Sequence, residues 1–204
     1  MSDQFNQSLI DGNRPYWVWS PLIFTGFYFL PMIFNSQFFS VSKIAVSVIV
    51  YLCFIYLYFK AANAKGERVL PIVVLMITLC VAATYITPGT QALFGFIAFF
   101  CGFNFTAKKA AAGLLVIIIA VLLAAFSFNF LDWYFIAPPL IISTALLFMG
   151  QAERKDRLHA QQQQVSQTAI EQLATIAERE RISRDLHDVI GHSLTPIALK
   201  AELA

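Results

Sequence analysis

Apolar stretches long enough to cross a lipid bilayer recur along the first three quarters of this chain, and no other feature restricts its fold as much. Hydrocarbon offers no water to a backbone N–H or C=O, so a spanning segment must satisfy its own polar groups, as a helix does. About 20 mostly apolar residues are needed, with about 17 at the lower end. Six spans are read, at residues 16–34, 41–59, 69–87, 90–105, 110–128 and 133–150. The fourth is the shortest, and only TPGT, Thr87 to Thr90, divides it from the third. That tetrapeptide is a strong helix breaker. Composition agrees with the count: the chain is 58% hydrophobic and 13% charged, whereas a soluble domain is about a quarter charged. The fold class is an all-α membrane protein.

The loops orient the spans. Arg14 precedes the first, Lys60, Lys65 and Arg68 lie between the second and third, Lys108 and Lys109 between the fourth and fifth, and Arg154, Lys155 and Arg157 after the sixth. The alternate loops hold only Lys43, no charge, and Asp132. Basic residues thus mark every second loop, as the positive-inside rule requires, and both termini fall in the cytoplasm. A five-span reading would break that alternation. Trp17, Trp19, Trp133 and Tyr134 stand at span ends, the depth that amphipathic rings prefer. No Asp, Glu, Lys, Arg or His lies well inside a span, which disfavours a pump, transporter or channel, since these usually need one. Pro31, Pro138 and Pro139 fall in or near spans and are expected to kink them. Cys53, Cys80 and Cys101 lie in apolar runs without C-x-x-C spacing and read as small buried hydrophobes. The N-terminus lacks the basic and apolar regions of a signal peptide. A net charge of +2 is too small to suggest direct nucleic-acid binding.

At Gln151 the composition changes. Residues 151–183 are polar, free of Gly and Pro, and made of strong helix formers. Leu158, Val165, Ile170, Leu173, Ile176 and Ile182 give a weak heptad seam, interrupted by the glutamines at 161–164. Glu178 with Arg181, Glu180 with Arg184, and Arg181 with Asp185 are spaced to pair along a helix. The expectation is a helical stalk that leaves the last span and dimerises. A weak seam suits a switch, because a coiled coil near balance can be biased by small forces.

From Ile182 onward two apolar rows share one helix: Ile182, Leu186, Val189 and Ser193, and beside them Ile190, Leu194, Ile197 and Ala201. Two adjacent rows suit a helix of a four-helix bundle. His187 shares its side with Arg184 and Gly191 and is placed toward solvent. Gly191 costs about 1 kcal/mol of helix propensity relative to alanine, and access by a partner is a reason to keep it. Asp188 adjoins His187; a carboxylate that accepts one imidazole N–H raises the basicity of the other nitrogen, which a histidine attacking a phosphoryl group needs. Asp188 and His192 are one turn apart and are spaced to position a water. Zinc is the competing reading, but His187 and His192 are five apart and diverge around the helix, unlike H-E-x-x-H, so no metal site is assigned.

These residues carry a resemblance. ERERISRDLHDVIGHSL, residues 178–194, resembles the phosphoacceptor helix of sensor histidine kinases of the HisKA_3 type, the subfamily that signals to NarL/LuxR-type response regulators. The resemblance implies that His187 is autophosphorylated, that Asp188 is its acid/base partner, and that Asp188 with His192 serves regulator dephosphorylation. It implies a homodimer, ATP and Mg2+ for the full-length kinase, and a response-regulator aspartate as phosphate acceptor. The polytopic half joined to a helical stalk, with DGNRPYWVW at residues 11–19, also resembles DesK-like kinases, which sense temperature through membrane thickness and fluidity. Lipid is then a partner, because span mismatch costs fractions of a kcal/mol per Å. The expected organisation is a transmembrane sensor at 1–151, a helical linker at 152–181, and at 182–204 the first helix of a dimerisation and phosphotransfer bundle. The chain carries no Gly-rich phosphate loop. It reads as an N-terminal fragment of a bacterial inner-membrane kinase, silent without its ATP-binding domain. The alternative is a non-enzymatic membrane protein whose helical tail dimerises or recruits a partner.

Overall fold

The computed structural model describes residues 21–35, 37, 39–127 and 133–202. Every regular element among them is helical and none is a strand. Two compact units divide at residue 156, the first covering residues 1–156 and the second 157–204.

The first expected span is described from Pro21 onward; residues 16–20, with Trp17 and Trp19, lie outside the described residues, as do Arg14 and Asp132. It is built in three pieces: α1 (Leu22–Thr25), a 3-10 turn (Gly26–Phe29) and α2 (Leu30–Phe34). Pro31 has no N–H to give to the carbonyl one turn back, so the α ladder is interrupted where the chain tightens. Side chains fasten this segment to α3 (Val41–Asn63): Thr25 shares a 2.7 Å hydrogen bond with the Tyr51 hydroxyl, and Tyr28 donates to the Ser47 carbonyl.

Ser40 caps α3 by accepting the Lys43 N–H. The helix overruns the expected end at 59 because Lys60, Ala61, Ala62 and Asn63 continue it past the apolar run. Gly66 then turns the chain with φ of 56°, a left-handed conformation that side chains resist. A 3-10 turn (Gly66–Val69) leads into α4 (Leu70–Ala83).

The TPGT breaker is a buried polar knot. Thr87 accepts from the Gly89 N–H, and the Thr84 and Thr90 hydroxyls meet at 2.8 Å. Gly89 lies against the Tyr28 carbonyl, where a Cβ would collide with it. Thr90→Val should lower stability by about 1 kcal/mol, the net worth of one buried hydrogen bond, read as a drop in unfolding midpoint of the detergent-solubilised chain.

Next come α5 (Gln91–Asn104), α6 (Ala107–Ser127) and α7 (Trp133–Glu202). Among the described residues, four helical stretches are long and apolar enough to cross a membrane: Val41–Asn63, Gly66–Ala83, Ala107–Ser127 and the one beginning at Trp133. Leu22–Phe34 is a shorter apolar stretch. The 14 residues of α5 reach about 21 Å, less than a bilayer core of about 30 Å. Every residue of α5 from Leu93 onward is buried, as expected of a helix apolar all round. It is the centre of the membrane unit, packed on α4 and α6. The other helices turn large side chains outward, including Ile49 and Leu52 of α3, Leu115 and Leu123 of α6, and Ile141 and Phe148 of α7. An outward apolar belt around a packed interior is what lipid selects, and the chain is a membrane protein. Trp133 and Tyr134 begin α7 in exposed positions, and the helix continues through Pro138 and Pro139.

Candidate functional site

The outward passage of α7 from the membrane unit is built by close contact. In lipid, apolar packing gains nothing from leaving water, so helices are held by near approach of small residues and by polar bonds. Gly150 of α7 and Gly102 of α5 supply the approach. A Cβ on Gly150 would meet the Phe99 carbonyl and the Phe103 nitrogen, and one on Gly102 would meet the Leu147 carbonyl. The two backbones touch.

Polar bonds follow within one turn. The last carbonyls of a helix have no partner inside it. Gln151 Nε2 donates to the Gly102 and Phe105 carbonyls at 2.7 and 2.9 Å. Arg154 Nη1 donates to the Asn104 carbonyl at 3.0 Å. The Arg154 cation is only 5% exposed, and it lies at the negative end of the α5 dipole, where positive charge is favoured. Sequence reading counted Arg154 among the basic loop residues and missed this role. The available signals were Asn104 closing an apolar helix and a glycine in each partner.

Beyond this root α7 is one unbroken helix to Glu202. The expected ion pairs form in part: Arg181 meets Glu178 at 2.8 Å, and Arg184 stands 4.0 Å from Glu180. Arg181 turns to Glu178 rather than to Asp185. Both pairs are exposed and contribute at most a few tenths of a kcal/mol to the helix.

His187 is exposed on this helix, as are Arg184 and Asp185. Asp188, Gly191 and His192 belong to the same helix, but their side chains lie outside the described residues. Helical geometry puts Asp188 about 100° from His187, and His192 about 40° from Asp188 one turn on. The described residues of the two apolar rows lie uncovered: Ile182 and Leu186 of the first and Ile190 of the second are 48%, 55% and 51% exposed. Such a row on a single helix lacks the partner that would bury it. Cys80 and Cys101 are buried as expected, while Cys53 is exposed on α3. Among the described residues no group of three or more His, Cys, Asp or Glu side chains is placed to hold a metal ion.

Residues 178–204 match the HisKA_3 histidine kinase family model. The chain is 30% identical over 196 residues to the sensor histidine kinase DesK of Bacillus subtilis (strain 168), an alignment covering 91% of this chain and 52% of that protein. The chain spans about half the length of this relative. No solved structure matches this chain.

Proposed function

We propose, for a chain that is DesK-like along most of its length and of HisKA_3 type at residues 178–204, that it is the membrane sensor and phosphoacceptor part of a two-component histidine kinase. The observation that carries this reading is the exposed His187 of RDLHD, on a helix that begins as an apolar membrane segment. His187 accepts the phosphoryl group on a ring nitrogen. Asp188 is the acid/base partner, and Asp188 with His192 positions water for regulator dephosphorylation. ATP with Mg2+ supplies the phosphoryl group. Nucleotide and metal are assigned to the intact kinase. The phosphate passes to an aspartate of a NarL/LuxR-type regulator.

The organisation proposed is a multi-pass sensor at 1–151, a linker at 152–181 and the start of the phosphotransfer bundle at 182–204, in a bacterial inner membrane with both termini cytoplasmic. Temperature or membrane fluidity is the stimulus, through the mismatch that bilayer thickness imposes on several spans. Membranes bearing the chain, incubated with an active HisKA_3-type kinase domain and labelled ATP, should acquire acid-labile phosphate. No label, with that kinase active on its own substrate, would favour the non-enzymatic reading.

A homodimer through the uncovered row supports this function. Leu186→Asp with Ile190→Asp would bury charge in that seam. The pair should weaken dimerisation on the order of a hundredfold, seen as monomer by sedimentation of the detergent-solubilised chain. An unchanged dimer would place the interface elsewhere.

A further inference from the structure

A groove between α3 and α4 has no part in phosphate transfer. One part of it is a cavity of about 680 Å3 whose lining includes Lys60, Asn63 and Arg68 together with Tyr56, Leu57 and Leu75. A second cavity of about 540 Å3 shares Tyr56, Leu57 and Leu75 and continues toward Ile49 and Leu79. The groove is thus charged at one end and wholly apolar at the other.

The charge is uncompensated. Lys60 stands in the last turn of α3 and Arg68 in the 3-10 turn before α4. Among the described residues neither makes an ion pair. The acid in the same turn, Glu67, is taken at 2.6 Å by Lys109 of α6. A guanidinium and an ammonium together suit a phosphate, the first by its fork of donors and the second as a point charge. The apolar remainder is exposed along Tyr56, Leu52 and Ile49, at the depth of acyl chains. This loop is on the side that basic residues assign to the cytoplasm, where anionic lipids gather and attract Lys and Arg. A second copy paired side by side through this face would set Lys60 and Arg68 against their own like charges.

We propose that this groove binds one anionic phospholipid. Its phosphate sits between Lys60 and Arg68, and one acyl chain lies along Tyr56 and Leu75 toward Ile49.

The test is lipid retention. The purified chain is incubated with equal amounts of phosphatidylglycerol and phosphatidylcholine of the same acyl composition, and native mass spectrometry counts the lipid retained. Phosphatidylglycerol should be retained about tenfold over phosphatidylcholine, and Lys60→Gln with Arg68→Gln should remove that preference. Lys108→Gln, an exposed cation outside the groove, should retain phosphatidylglycerol as the unaltered chain does. Leu75→Trp keeps both charges but fills the groove, and should cut retention at least threefold, on the order expected for lost apolar contact. Equal retention of the two lipids by the unaltered chain overturns the proposal. So does equal retention by the double variant and Lys108→Gln, or no effect of Leu75→Trp. If the double variant instead changes the number of copies per particle and no phosphatidylglycerol is retained, the groove belongs to a second copy. Each readout is independent of His187 labelling, so this inference and the phosphotransfer reading fail separately.

Discussion

His187→Gln is expected to abolish acid-labile phosphate labelling of the chain, by at least about a thousandfold, the scale of removing the nucleophile of a transfer reaction. Glutamine keeps size and polarity but offers no ring nitrogen to attack phosphorus. The His187 side chain is exposed, so stability should move by no more than about 0.5 kcal/mol. Circular dichroism of the variant should therefore match the unaltered chain. His159→Gln is the matched control. It removes another exposed histidine from the same helix and should leave the label intact. Label surviving in His187→Gln would remove the phosphoacceptor assignment, and label lost in both variants would point to a general defect in the helix.

The largest stability effect is expected at Gly150. Gly150→Val should destabilise the membrane unit by about 3 kcal/mol or more, the upper end for overpacking. The atoms in the way are the Phe99 carbonyl and the Phe103 nitrogen. Backbone cannot rotate aside as a side chain can, so α5 and α7 must separate. Separation also lengthens the bonds from Gln151 and Arg154 to the α5 carbonyls, each costing about 1 kcal/mol or more if lost while buried. Gly26→Ala is the control, since a Cβ there meets nothing within 4 Å. Unfolding of the detergent-solubilised chain reads the difference. Equal midpoints for the two variants would mean that α5 and α7 do not touch at this glycine.

Much of the membrane unit was legible because lipid imposes a simple rule. Long apolar runs became helices at 41–63, 107–127 and from 133 onward. Their ends were less legible, because hydropathy stops at Phe59 while helix-forming Lys60 to Asn63 carry the backbone on. The central place of α5 was written in its composition, since QALFGFIAFFCGFN has no polar face to turn outward. Its shortness concealed this when length was the criterion. Arg154 was hidden for a different reason. The rule that reads basic residues as loop charges gives no weight to a neighbouring helix that ends with unpaired carbonyls, and such ends become visible only once two helices are placed side by side. The RDLHD pattern around His187 was legible because it is local to one helix and needs no long-range contact; the role of His187 is for the labelling experiment to decide.

The bonds from Gln151 and Arg154 set a threshold where α7 leaves the membrane. Any sliding or turning of α7 against α5 must first surrender three hydrogen bonds, one group of them from a buried cation. At about 1 kcal/mol each, and more for the charged one, that is several kcal/mol, whereas one span gains only a fraction of a kcal/mol per Å of thickness change. If bilayer thickness is the stimulus, as proposed, small fluctuations would be absorbed by these bonds and only spans acting in concert would break them, so the contact of α7 with α5 would act as a detent that turns a graded stress into a discrete step.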